Sequence, residues 1–292
     1  MSMDRLQEKI RKTKSPILLE LDATKDQLPP HLLEQEGSFI KAHTRFCLEL
    51  MESLRGSIPA VRFSFSAFAL QGTEGLTALS YLLEQAKKLG YYVLMDIPEA
   101  LSPQRAAVNA QTVFSEEFPW QCDGVIVSAY IGSDAIRPYA ALLEQEDRAM
   151  FIAVRTGNRS AVELQDLLTG SRHVFEAITD VVNRFKNDRA TKSGYDRVAI
   201  IGPATSAPVL KRLREKYRNL FILVDGYDYS GANAKNCAAA ADQFGHGIIV
   251  CAGASICAAW SAQEHDGLEY LDDAKEAVER MKKNLARYFT VM

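Results

Sequence analysis

The chain has 292 residues, a length that fits either two ordinary domains or one large α/β barrel. Hydrophobic residues make up 47% and charged residues 24%, which provides enough apolar material for a large core. The net charge is −3, so the chain lacks the basic surplus that nucleic-acid binding requires. No apolar run approaches the length of a membrane span, and five scattered cysteines without a CxxC pair predict free thiols in a reducing cytoplasm.

Short apolar or β-branched runs recur along the whole chain and predict eight buried strands. Several are apolar almost throughout, as expected of parallel strands that are covered on both faces. In chain order the predicted strands are Ile17–Asp22, Ala60–Phe68, Tyr91–Ile97, Gly124–Ala129, Met150–Thr156, Arg197–Gly202, Leu220–Asp225 and Gly247–Ala252.

Helical patterns lie between these runs, and the charged N-terminal segment is also predicted to be helical. Ser102 and Pro103 suit the first positions of a helix, and Ser160 with Glu163 has the spacing of a capping box. The predicted internal helices are Gly75–Leu89, Ser102–Phe114, Ser160–Leu168, Pro208–Tyr217, Gly231–Phe244 and Leu268–Tyr288.

Eight strands that alternate with helices indicate a (β/α)8 TIM barrel, with residues 1–292 forming a single domain. A doubly wound open sheet is the alternative, but that fold favours a GxGxxG turn after an early strand, and the sequence has none. The polar stretch 186–195 is predicted to be a loop before the sixth strand. Five histidines, including His265, show no metal-binding spacing, so no metal site is expected.

Polar residues follow several predicted strands directly, and in a barrel the site lies at the carboxyl ends of the strands. Asp22 ends the first predicted strand and Asp96 lies at the end of the third. Residues 156–158 lie at the end of the fifth predicted strand, and the segment 225–231 begins at the end of the seventh. We therefore expect these residues to face the mouth of the barrel.

Six blocks of sequence resemble the orotidine 5′-phosphate decarboxylase family, in its longer bacterial subgroup. The resemblance runs from Arg5 to about Trp260, and its most specific blocks are AYIGSDAIRP and RTGNRSAVELQDL. It implies a TIM barrel, a place in pyrimidine (UMP) biosynthesis, conversion of orotidine 5′-phosphate to UMP and CO2 without a cofactor, and a dimer.

The resemblance also implies an array of alternating lysines and aspartates at the ends of the first three strands. One Asp of this array lies against the departing carboxylate, and a Lys protonates the carbon left behind. The third strand of the family carries a D-x-K-x-x-D motif. Asp22 and Asp96 stand at retained acidic positions of this array and are the candidate catalytic residues.

The other positions of the array differ. Alignment on the pair Ala67–Phe68 places the Lys of the second strand at Phe63, and Pro98 and Leu101 stand where the Lys and the second Asp of the third strand belong. Arg62 is expected to point away from the mouth, because neighbouring strand residues face opposite sides. A developing carbanion beside Asp96 would then lack an ammonium group to neutralise or protonate it.

The candidate ligand-binding positions also depart from the family. The family's seventh loop has the pattern P-G-x-G-x-Q-G, and its eighth strand is followed by an Arg that grips phosphate. The family's fifth loop reads T-S-N, whereas residues 156–158 of this chain read T-G-N, so the Ser hydroxyl is missing here. We predict weak or absent affinity for orotidine or uridine monophosphate. The candidate ligand-binding residues are Thr156, Asn158, Gly226, Ser230 (for Gln), Gly231 and Ala254 (for Arg).

We interpret the chain as a non-catalytic paralogue that serves as a ligand-binding, regulatory or structural subunit. The alternatives are an active orotidine 5′-phosphate decarboxylase and a different enzyme on the same barrel. The expected partners are a small molecule, with a nucleotide-like ligand as one option, and a second copy of the chain, with an active paralogue as the alternative. No cofactor, nucleic acid or membrane is expected.

The barrel mouth is further predicted to be acidic. Five carboxylates around one opening would disfavour a dianionic ligand and favour Mg²⁺, Ca²⁺ or a cationic or polyhydroxylated ligand. The alternative is that Glu99 and Asp228 point into solvent. The five acids are Asp22, Asp96, Glu99, Asp225 and Asp228.

Overall fold

The computed structural model describes residues 1–115, 117–143, 147–186, 191–262 and 266–291. Eight parallel strands close into a barrel in which each strand pairs with the next barrel strand and the last pairs with the first. The predicted TIM barrel is confirmed, and all eight predicted strands are present. A short antiparallel hairpin lies outside the barrel. The barrel strands are β1 (Ile17–Glu20), β2 (Ala60–Ser64), β3 (Tyr92–Asp96), β4 (Gly124–Ser128), β5 (Ala149–Ala153), β8 (Val198–Pro203), β9 (Ile222–Asp225) and β10 (Ile248–Ala252), and the hairpin strands are β6 (Leu168–Thr169) and β7 (Arg172–His173).

Helices surround the barrel, and most of the predicted ones are present. Ser102 caps its helix as expected, since its hydroxyl accepts a hydrogen bond from the backbone N–H of Arg105. Within the described residues, no helix is long and apolar enough to cross a membrane. The helices are α1 (Ser2–Thr13), α2 (Pro30–Glu36), α3 (Phe39–Ser53), α4 (Phe65–Ala69), α5 (Gly72–Lys88), α6 (Pro103–Phe114), α7 (Ser133–Leu143), α8 (Val174–Asn183), α9 (Ala207–Lys216), α10 (Ala234–Ala238), α11 (Ala254–Cys257) and α12 (Tyr270–Ala286).

The predicted helix at Ser160–Leu168 is wrong. Residues Arg159–Glu163 form a short 3-10 helix instead, and Leu168 already begins β6. The Gln165 side chain accepts a hydrogen bond of 2.8 Å from the backbone N–H of Thr156, which turns the segment back toward the end of β5. A capping box describes only local donors and acceptors, and here the longer-range hydrogen bond decides the backbone path.

Two further element boundaries differ from the predictions. The predicted helix Gly231–Phe244 is reduced to the single turn and a half of α10, which Asn233 caps. The predicted strand Ala60–Phe68 ends at Ser64, because the chain turns into α4. The predicted loop 186–195 lies partly outside the described residues, and so does His265.

The side chains of the barrel strands alternate between two apolar clusters. Inward-facing residues such as Leu18, Tyr92 and Phe151 fill the barrel, while the residues between them pack against the surrounding helices. Helix α1 closes the N-terminal end of the barrel, where Ser2 hydrogen-bonds the Tyr92 hydroxyl at 2.7 Å and Arg5 pairs with Asp123 at 2.9 Å. The mouth is therefore the opposite end, at the carboxyl ends of the strands.

Candidate functional site at the barrel mouth

Arg62, on β2, lies at the centre of the mouth, and its side chain is only 10% exposed. Its Nη1 is 3.1 Å from Oε1 of Glu20 and 3.1 Å from Oδ1 of Asp225, and its Nη2 is 2.6 Å from Oδ2 of Asp96. Strands β1, β2, β3 and β9 thus each contribute one charged side chain. One guanidinium is shared by three carboxyl groups.

The prediction that Arg62 faces away from the mouth is wrong. In the barrel register Arg62 pairs with Glu20 of β1 and with Leu94 of β3, and all three are inward positions. Phe63, in contrast, is fully buried between the barrel and the helices, with its ring centroid 6.1 Å from that of Phe68. Phe63 therefore contributes nothing to the mouth, and the charged residue of β2 at the mouth is Arg62.

Asp22 and Asp96 both lie at the mouth, as predicted. Burial raises the pKa of Asp22, Arg62 opposes this rise, and the neighbouring charges of Asp96 and Asp225 add to it. Asp96 is held by Arg62, whereas the Asp22 carboxylate makes no ion pair within the described ranges and accepts a hydrogen bond from its own backbone N–H, which also opposes the rise of its pKa. That either residue takes part in catalysis stays a prediction.

Glu20 was missed by sequence analysis. Burial raises its pKa to about 8, Arg62 opposes the rise, and the charges of Asp22, Asp225 and Asp96 reinforce it. Glu20 ends the otherwise apolar strand ILLE, two residues before Asp22 and on the same face as Leu18. That alternation is the signal that could have identified it.

The residues that follow β3 lie away from the Arg62 cluster. Pro98 and Glu99 are exposed and line a cavity of about 340 Å³ together with the start of α6, and the Leu101 side chain is exposed. The prediction that Glu99 joins the acids of the mouth is therefore wrong. Pro98 and Leu101 supply no charge at this rim.

The loop after β9 crosses the mouth toward the loop after β5. Gly226 and Gly231 have φ values of 78° and 90°, a left-handed conformation that favours glycine. The Tyr229 ring lies against both Gly226 and Gly157, because a Cβ on either glycine would come within 2.7 or 2.8 Å of Tyr229 Cδ2. A serine at position 157, as in the family, would collide with this ring.

Asp228 joins the loops after β9 and β10 rather than facing Arg62. Its carboxylate accepts hydrogen bonds from the backbone N–H of Gly253 at 2.7 Å and of Ser255 at 3.1 Å. These groups lie at the start of α11, beside Ala254. The loops after the last two strands of a TIM barrel frequently bind phosphate. Here the exposed carboxylate of Asp228 accepts hydrogen bonds from two backbone N–H groups of the loop after β10. Ser230 is exposed nearby.

Thr156 and Asn158 are held together after β5. The Thr156 hydroxyl donates a hydrogen bond of 2.6 Å to Oδ1 of Asn158, and Arg155 is anchored by Asp166 at 2.9 Å. The two predicted ligand-binding residues therefore lie on a loop that these hydrogen bonds hold in place, next to Tyr229. Their role in binding stays a prediction.

No group of three or more His, Cys, Asp or Glu side chains with metal-binding geometry occurs in the ranges that the structure describes. The acids at the mouth are instead drawn to Arg62, so this geometry gives no support to a hard cation at the mouth.

The Asp228→Ala variant is expected to lower the free energy of unfolding by about 1 kcal/mol, because two backbone N–H groups lose a charged acceptor that is itself exposed. Asp228→Asn, which keeps one acceptor oxygen, should lose less. Thermal melts measure the effect, and Glu99→Ala, another exposed acid at the rim, is the control and should melt as the wild type does. Equal melting temperatures of Asp228→Ala and the wild type would show that the hydrogen bonds from Gly253 and Ser255 to Asp228 do not stabilise the fold.

The sequence of this chain was compared with those of known proteins. No protein-family profile matches the chain. An orotidine 5′-phosphate decarboxylase of Rhodopirellula baltica is 26% identical over 289 residues, covering 94% of this chain and 96% of that protein. The corresponding protein of Clostridium novyi is 24% identical and covers 98% of each. Over nearly its whole length, the chain is similar to proteins named orotidine 5′-phosphate decarboxylase.

The resemblance carried by the six sequence blocks is therefore confirmed. A crystal structure of orotidine 5′-monophosphate decarboxylase from Plasmodium berghei superimposes with a TM-score of 0.80, at 11% identity and with 99% of both chains covered. At this identity the superposition shows that the two proteins share a fold. The superposition supports the barrel fold seen in the described residues. The Arg62 cluster is known only from the structure of this chain.

Proposed function

We propose that residues 1–292 form one barrel domain of the pyrimidine-biosynthesis type that does not decarboxylate orotidine 5′-phosphate and serves as a ligand-binding or regulatory subunit. One observation carries the proposal: Arg62 is the only cation within hydrogen-bond distance of Glu20, Asp96 or Asp225 in the described residues. The resemblance implies a dimer, so a second copy of the chain or an active relative is the proposed protein partner.

An arginine cannot replace the protonating lysine that the resemblance implies. Burial alone would lower the pKa of Arg62, but Cys251 and the carboxylates of Glu20, Asp225 and Asp96 raise it well above its usual value. A general acid works best when its pKa is near the working pH, and a guanidinium holds its proton far too tightly. The carbon left by decarboxylation would have no proton donor at this position.

The charges of the mouth also oppose the substrate. Orotidine 5′-phosphate carries a phosphate and a carboxylate, and Asp22, Asp96 and Asp225 surround the opening where they would bind. The carboxylate of Asp228 already occupies backbone N–H groups of the loop after β10. A dianion would have to displace that carboxylate and approach several others, which costs binding free energy.

The deciding experiment is a decarboxylation assay with orotidine 5′-phosphate, using protein expressed in a host that lacks its own decarboxylase. We expect no change in ultraviolet absorbance above the buffer blank, while the Clostridium novyi relative, assayed in parallel, serves as the positive control. Turnover by the wild type that survives repurification would establish the alternative, an active decarboxylase, and overturn the proposal.

A further inference from the structure

A cleft of about 450 Å³ lies between the loop after β9 and the C-terminal turn of α12, outside the barrel mouth. We call it the basic cleft, and its lining is free of carboxylates. The side chains that define it are Tyr227, Asn233, Lys235, Asn284, Arg287 and Tyr288.

The two cations of the basic cleft are available to a ligand. Within the described ranges, neither Lys235 nor Arg287 makes an ion pair or a side-chain hydrogen bond, and both are exposed. This distinguishes them from Arg45, Arg155 and Arg172, which are paired with carboxylates. In a chain with a net charge of −3, a cleft with two unpaired cations and no acid is a local positive region that attracts anions.

The remaining lining groups suit the same ligand class. The Asn284 side chain has no hydrogen-bond partner within the described residues, so its amide can donate to an anionic oxygen. Tyr227 and Tyr288 supply aromatic surface, and the volume lies in the range of small-molecule sites. A guanidinium and an ammonium together match a group with several charged oxygens better than a single carboxylate.

We propose that the basic cleft binds a diphosphate group, carried either by free inorganic pyrophosphate or by a nucleoside diphosphate. Tyr227 and Asn233 belong to the same loop that holds Asp228 and Tyr229 at the mouth, so a ligand in the cleft contacts the segment that shapes the candidate site. The proposal concerns a separate surface and does not depend on whether the mouth is catalytic.

The test is isothermal titration of the full chain at low ionic strength, with inorganic pyrophosphate in one arm and ADP in the other. We expect saturable binding of pyrophosphate, and tighter binding of ADP if the aromatic rings engage a base. Lys235→Ala and Arg287→Ala should each weaken binding at least about tenfold, and Asn284→Asp, which adds a negative charge without changing size, should abolish it.

Lys283→Ala removes an exposed cation from the same helix outside the lining and is the matched control, which should bind as the wild type does. Absence of saturable binding in both arms overturns the proposal. Binding that persists unchanged in Lys235→Ala and Arg287→Ala overturns it as well, because the anion would then sit elsewhere. Circular dichroism of each variant confirms that a loss of binding is not a loss of fold.

Discussion

Replacement of Arg62 by methionine is expected to lower the free energy of unfolding by about 3 to 5 kcal/mol at neutral pH. Methionine fills the space of the aliphatic stem but leaves the carboxylates of Asp96 and Asp225 without their counter-ion and the Glu20 carboxyl group without its hydrogen-bond donor. The loss should shrink as the pH falls, because the stranded carboxylates take up protons and no longer repel one another. Urea denaturation at several pH values measures both effects.

Two comparison variants show whether the buried position causes this loss. Arg62→Lys keeps the charge but not the fork that bridges three carboxylates, so it should lose less than Arg62→Met. Arg172→Met breaks an exposed ion pair with Asp180 and should cost about 1 kcal/mol or less. A loss for Arg62→Met no larger than that of Arg172→Met, or one independent of pH, would contradict the arrangement of the cluster.

The eight strands could be predicted because each one is buried on both sides and is therefore apolar almost throughout. Helix prediction was less complete. Six helices were not predicted: α2, α3, α4, α7, α8 and α11. The stripes of buried residues on α3, α7 and α8 are visible once their bounds are known. The helix predicted at Ser160–Leu168 failed because Gln165 bonds back to Thr156, a contact that no local pattern encodes.

The orientation of β2 was misjudged for a physical reason. Alignment on Ala67–Phe68 counts residues backward across the junction between α4 and β2, but the alternation of side chains holds only within a strand. Alternation counted within β2 from the inward-facing Ala60 reaches Arg62, not Phe63. A one-residue shift in a strand exchanges the two faces, so the single cation of the cluster was assigned to the wrong side.

The change at position 157 was visible in the sequence, but its cause was not. Gly157 and Tyr229 lie far apart in the chain and meet only because the loops after β5 and β9 come together over the mouth. The tyrosine ring occupies the space that a serine side chain would need. Tyr229 stands at a variable position of the family's seventh loop, so the family pattern alone does not connect it with position 157; the contact appears only in the folded chain.

Glu20 is expected to make the stability of the fold depend on pH. Its pKa rises from 4.5 to about 8 on folding, and burial is the largest cause of the rise. Because the folded state holds this proton more tightly than the unfolded state, the stability that Glu20 provides is complete below pH 4.5 and is lost as the pH rises toward 8. The slope from this one group is at most about 1.4 kcal/mol per pH unit.

The Glu20→Gln variant is therefore expected to match the wild type near pH 5 and to exceed its free energy of unfolding by about 2 kcal/mol or more at pH 8. Glutamine resembles the protonated acid in shape and keeps an oxygen for Arg62, but it cannot ionise. Urea denaturation across this pH range provides the comparison. Glu99→Gln removes an exposed acid at the rim and should leave the difference from wild type near zero throughout. If Glu20→Gln were less stable than the wild type at pH 8, Glu20 would be ionised and stabilising at that pH, and the cluster would hold Arg62 with one more negative charge than we infer.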